Sequence, residues 1–128
     1  MRHKVYSRPV PPIAWQKVVR SGSRSYDNQA RDKVSFGLYL AQQHNEEPLF
    51  TNPIHMHITF YMPIPKQAKE KPKYKHHSTS PYIDSLLKFF LEAIQDIIVV
   101  DDRVICSLTV KKMYDKEPRT EIVITEVD

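Results

Sequence analysis

The sequence holds a single cysteine, Cys106, among 128 residues, so an internal disulfide is excluded and a reducing compartment is expected. Glycine is nearly as scarce, with two residues against ten prolines, which favours stiff connections over flexible linkers. No run approaches the roughly 18 apolar residues that a membrane-spanning helix needs. The opening stretch, MRHKVYSRPV, is basic and lacks the apolar core of a secretory signal. These absences lead to the expectation of a cytoplasmic protein with no membrane association. A hydrophobic content of 41% is enough for a core, and one domain spanning residues 1–128 is expected. Cys106 falls in the alternating run VICSLTV, which suggests a buried structural thiol.

The net charge is +4, and its distribution is uneven. Residues 1–33 carry eight Lys/Arg against Asp27 and Asp32, and KQAKEKPKYK (66–75) carries five lysines against Glu70. Residues 82–105 reverse the sign, with Asp84, Glu92, Asp96, Asp101 and Asp102 against Lys88 and Arg103. Basic arms around an acidic patch suit an enzyme that grips phosphates and holds a cation beside them. A lysine-rich solvated loop gives the same charge pattern with no function attached.

KVYSRPV (4–10) and WQKVVR (15–20) read as strands, with SGSRS as a turn after them. Asp27 or Asn28 is positioned to cap a helix running to about Gln43, with Ala30, Val34, Leu38 and Ala41 recurring on one face. PIHMHITFYMP (53–63) alternates as a half-buried strand, its inner face being Ile54, Met56, Ile58, Phe60 and Met62. His55 and His57 share the other face, where solvated polar positions are a commoner explanation than a metal site. Ser80–Pro81 has the form of a helix start, and Ile83, Leu86, Leu87, Phe90, Leu91 and Ile94 give that helix a broad apolar face. VICSLTVKK and TEIVITEV close the chain as strands joined in a hairpin by MYDKEPR. The expected fold is α+β, a small mixed β-sheet with two main helices in the order β-β-α-β-α-β-β.

Asp84 and Lys88 are four residues apart and emerge on one side of the second helix, as an ordinary ion pair would. Asp101–Asp102 could be no more than a polar turn before a strand. A tight return after the helix would nevertheless bring that pair back beside Asp84. Clustered carboxylates repel one another unless a proton or cation intervenes, and Mg²⁺ or Mn²⁺ suits carboxylate and water oxygens. An ion held there can activate water and neutralise charge on a phosphodiester.

The stretch KYKHHSTSPYIDSLLKFFLEAIQDIIVVDDRVICSLTVKK (73–112) resembles the core of the RusA-type Holliday junction resolvases. Their hallmark is H-x-x-x-P-D-x-D-N-L-x-K, followed downstream by an aspartate pair and a lysine-bearing strand. The opening SRPVPPIAWQKVVRSGSRSYDNQARDK (7–33) is similar to that family's strand, basic hairpin and helix entry, so the resemblance covers nearly the whole chain. It implies a homodimeric, Mg²⁺-dependent endonuclease acting on four-way or otherwise branched DNA, with the apolar helix and the long strand as the expected dimer interface. By position, Asp84, Lys88 and Asp102 become the candidate catalytic residues, and Asp84, Asp101 and Asp102 the candidate metal ligands. Lys17, Arg20, Arg24, Lys69, Lys71, Lys73, Lys75, His76 and His77 become candidate DNA contacts. Two positions depart from the motif: Ser85 stands where asparagine is usual, and Tyr82 where the first aspartate is expected. A phenol is neutral at pH 7 and a poor ligand for a hard cation. The same residues therefore admit an attenuated nuclease, or a junction-binding protein that no longer cuts.

Overall fold

The computed structural model describes the backbone of residues 1–17, 19–21, 24–26, 28–66 and 72–128, and of these the side chains outside 19–26. Strand β1 (His3–Arg8) is followed by the short hairpin β2 (Val19–Ser21) and β3 (Arg24–Tyr26). Helix α1 (Ala30–His44), strand β4 (Ile54–Pro63) and helix α2 (Ile83–Ile94) come next. A 3₁₀ turn (Asp102–Val104) leads into β5 (Ile105–Asp115), and β6 (Arg119–Glu126) ends the fold. The result is α+β, with a mixed four-stranded sheet in the order β1-β6-β4-β5 and two helices. No helix among the described residues is long and apolar enough to cross a membrane.

The cleanest alternation in the sequence lies at the centre of this sheet. In β4, Ile54, Met56, Ile58, Phe60 and Met62 are all buried, while His55 and His57 stand on the half-open face, where His55 Nδ1 lies 2.7 Å from Ser107 Oγ. On one side β4 pairs in parallel with β5, reached by a crossover through α2, and on the other it pairs antiparallel with β6. The expected β5–β6 hairpin therefore does not form, because β4 lies between the two strands. Only residues 116–118 separate β5 from β6, and an extended link of that length spans the roughly 10 Å of two strand spacings. β4 ends at Pro63, which leaves its end free for the link to cross.

Helix α2 is amphipathic and buries Leu86, Phe89, Phe90, Ala93 and Ile94. Much of its apolar face is thus used within the chain, while Leu87 and Leu91 are half-buried and Ile83 is exposed. The helix begins two residues later than the Ser80–Pro81 signal, with Tyr82 as N-cap. Helix α1 also differs from expectation. Val34 and Leu38 are 60% and 59% exposed, while Phe36, Gly37, Leu40 and His44 are buried. Phe36 meets Phe89 and Phe90 edge-on, with ring centres 5.9 and 5.8 Å apart. Buried His44 is satisfied by the Tyr6 hydroxyl at 2.6 Å and Pro48 O at 3.1 Å. Burial and the nearby Glu47 carboxylate push the Tyr6 phenol well above its ordinary range.

Two smaller expectations change as well. The N-cap of α1 is Gln29; the Asn28 amide donates instead to Gln16 Oε1 at 3.2 Å, and Asp27 lies outside the described residues. Cys106 is exposed, because β5 is the sheet's edge strand and residues 106–108 are open to solvent. The chain end of α1 follows the usual rule, with Asn45 left-handed at φ 55° and its N–H donating to Ala41 O.

Candidate active site

The turn after α2 is short and well anchored. Ile97 and Ile98 N–H both donate to Ile94 O, and Asp96, at φ 59°, donates from N–H to Val99 O. Ile98 and Val99 are fully buried, with Val99 bridged to Phe50. This tight reversal sends residues 100–102 back along α2. Asp84, Lys88 and Asp102 consequently line one groove of about 390 Å³, together with Leu87, Leu91, Glu92 and Gln95.

Within the groove the charged groups are not equally free. Asp84, in the first turn of α2, accepts the Ser85 N–H through Oδ1 at 2.9 Å, and the helix dipole favours its charge there. The Asp102 carboxylate has no hydrogen bond or ion pair among the described residues. Glu92 is held by Lys33 Nζ at 2.8 Å. Lys88 does not form the expected i,i+4 pair with Asp84; its ammonium stands 3.7 Å from the centre of the Trp15 ring. Asp101 lies outside the groove lining. Its carboxylate caps the 3₁₀ turn by accepting Arg103 N–H at 2.8 Å and lies 3.5 Å from Arg103 Nε, so it supports the backbone that presents Asp102.

Tyr82 does not line this groove. It is 74% exposed and borders a separate hollow of about 660 Å³ with His76, His77, Lys111 and Lys112. That hollow is built by residues 75–82 running along the outer edge of β5. Tyr114 N–H donates to Lys75 O, His77 N–H donates to Lys112 O, and His76 bridges Met113. Lys112 then donates from Nζ to Thr79 O at 2.8 Å and Pro81 O at 2.7 Å, fixing the entry to α2. Burial lowers the Lys112 ammonium from its ordinary range, and burial with the facing Lys112 charge lowers His77.

Of the other residues singled out in the sequence, Lys17, Lys73, Lys75 and His76 are exposed and His77 is half-buried. Lys69 and Lys71 lie outside the described residues, as do the side chains of Arg20 and Arg24. Among the described residues, no three His, Cys, Asp or Glu side chains come together closely enough to hold a metal ion. The groove thus offers two carboxylates outside an ion pair, Asp84 and Asp102, beside Glu92, which Lys33 holds. That donor set suits Mg²⁺, which commonly keeps several waters and binds through one or two carboxylates plus substrate phosphates.

Sequence reasoning missed Glu92 and Trp15 at this site. Glu92 was legible, since 84, 88 and 92 repeat at four-residue spacing on one helix face. Trp15 carried no such signal, because it arrives from a distant segment.

The family model for endodeoxyribonuclease RusA matches residues 9–125. The chain belongs to the RusA endodeoxyribonuclease family. The match takes in β2, β3, both helices and every residue lining the groove. A Bacillus subtilis (strain 168) relative, the uncharacterized protein YqaN, is 29% identical over 137 residues, covering 99% of this chain and 96% of YqaN. RusA membership makes this chain a nuclease relative with branched DNA as the family's substrate, and Asp84 and Asp102 both line the groove.

Proposed function

We propose that this RusA-family chain is a structure-specific endonuclease that hydrolyses phosphodiester bonds in four-way or branched DNA, with Mg²⁺ or Mn²⁺ as cofactor. One observation carries the reading: Asp84 in the first turn of α2, Lys88 one turn further on and Asp102 beyond its end line a single groove. Asp84 and Asp102 would hold the ion, which when bound supplies positive charge at the scissile phosphate and a more acidic water. Asp101 keeps the 3₁₀ turn in shape, so that Asp102 is presented without a rearrangement. Lys88 brings an ammonium to the groove wall, where it can hold a phosphate oxygen and offset its charge. The exposed Lys17, Lys73, Lys75 and His76 would grip flanking phosphates.

A four-way junction presents two symmetric strands to be cut, so a homodimer is the natural working form. Val34 and Leu38 on α1 and Leu108 on β5 are among the exposed apolar residues that could serve that contact, with Val5 on β1 and Ile83 on α2.

A second reading has its own support. Tyr82 lines a separate hollow and brings no acid to the groove where the family motif expects one, which suits a protein that binds junctions without cutting. The test is nicking of a synthetic four-way junction with Mg²⁺ or Mn²⁺, against binding of the same DNA in EDTA. Asp84→Asn and Asp102→Asn should each cut cleavage by on the order of 10²-fold or more, while binding in EDTA tightens. Wild-type binding with no metal-dependent nicking would favour the second reading. Parallel loss of binding and cleavage in both variants would assign the two aspartates to the fold.

A further inference from the structure

Trp15 belongs to none of the charged motifs, yet it touches α2 at two points. Its backbone N–H donates to Ser85 O at 2.9 Å, and its indole face lies under the Lys88 ammonium. The segment that carries it is held by one buried side chain. Gln29, only 4% exposed, accepts the Gln16 N–H at 2.8 Å and donates from Nε2 to Ala14 O at 2.7 Å. The Gln29 amide therefore brackets Trp15 on both sides, as a neighbouring strand would, while the ring packs partly buried against the core.

Lys88 has carboxylates four residues away in both directions, Asp84 and Glu92. A helical lysine so placed ordinarily pairs with one of them. Here Glu92 is taken by Lys33, and Lys88 rests on the ring with no ion pair among the described residues. The ring quadrupole draws the ammonium, and the clamped segment fixes where that attraction acts.

We propose that Trp15 is a positioning residue that holds the Lys88 ammonium at one wall of the groove and off Asp84. Asp84 then keeps its charge for a cation, and the ammonium remains available to a phosphate oxygen of bound DNA. The inference rests on reading the groove as a phosphodiester site.

Trp15 is the chain's one tryptophan, so its emission reports the contact without any need for activity. Lys88→Met should shift that emission, whereas Lys116→Met, on the exposed β5–β6 link, should not. Trp15→Leu should slow single-turnover cleavage of a saturating four-way junction by roughly 5- to 30-fold with affinity unchanged. Trp15→Phe, which keeps a weaker aromatic face, should recover most of the rate. In a Lys88→Met background Trp15→Leu should add no further loss, since its partner is already gone. Unchanged emission in Lys88→Met, or losses that multiply in the double variant, would overturn the proposal. Should the wild type bind junctions but never cut, the nuclease reading fails. The emission response then decides on Trp15 alone.

Discussion

A phenol at position 82 does two things that an aspartate would do differently. Tyr82 is the N-cap of α2 and gives the helix no side-chain hydrogen bond, so the first-turn N–H groups depend on Asp84, which caps its neighbour Ser85. An aspartate is among the best N-cap residues. Tyr82→Asp should therefore stabilise the protein by about 0.5–2 kcal/mol in urea unfolding, and by releasing Asp84 it should free a carboxylate for the groove. If the new carboxylate itself reaches the ion, Mg²⁺-dependent junction cleavage should rise by on the order of 10²-fold, with metal-free affinity slightly weaker. Stabilisation without a gain in cleavage would show that the carboxylate serves the helix alone. Tyr82→Phe should change neither quantity. At this scale the sequence was informative wherever spacing decides geometry, as with Asp84, Lys88 and Asp102. It was silent where two identical side chains compete. Nothing in the letters of Asp101–Asp102 says which one caps the turn; the extended backbone at Asp101 (φ −166°, ψ 175°) does. Nor does a lysine's spacing reveal an indole brought over it by a buried glutamine.

Helix α1 shows how periodicity alone can select the wrong face. Ala30, Val34 and Leu38 recur at helical spacing, but Phe36, Gly37 and Leu40 form a second stripe that offers more to α2. Phe36 fills the space between two aromatic rings, and Gly37 lets the helix backbones approach closely. A Cβ at Gly37 would lie 3.0 Å from Ala93 O and 3.4 Å from Ile97 Cγ1. Glycine within a helix costs about 1 kcal/mol against alanine, so in an open setting Gly37→Ala would stabilise. Here the nearest obstacle is backbone, which cannot swing aside, and overpacking of this kind costs about 1–3 kcal/mol. The overpacking should win. Gly37→Ala should lower stability by about 1 kcal/mol, and Gly37→Val by more, read as shifts in urea midpoint. A stabilised Gly37→Ala would mean that the helices have room to separate. The misplaced β5–β6 hairpin has a similar origin, since strand existence follows from local alternation but neighbour order depends on long-range pairing. β4, whose alternation was plain, proved to be the strand that both of the others need.

Across the whole molecule, charge is arranged so that affinity and chemistry pull in opposite directions. On the proposed reading a DNA phosphate approaches Asp84 and Asp102 in the groove, and without a cation they repel it. Binding must then come from basic residues elsewhere, of which Lys17, Lys73 and Lys75 are exposed among the described residues. If about five phosphates are neutralised in all, log K for a four-way junction should fall with log salt at a slope of roughly −4 to −5. The measurement belongs in EDTA, where no divalent ion competes for the same phosphates. Lys73→Ala with Lys75→Ala should flatten the line by about one unit for each phosphate no longer neutralised, with little dependence on DNA sequence. Asp84→Asn with Asp102→Asn should act differently, raising the affinity, and most at low salt, where their repulsion of the phosphates is least screened. Such contrast separates a groove that receives phosphate from an acidic patch remote from it. If the lysine substitutions leave the slope unchanged, residues 73–75 are a solvated surface. If the aspartate substitutions leave the metal-free affinity unchanged, DNA does not pass over the groove, and the proposed site of cleavage lies elsewhere.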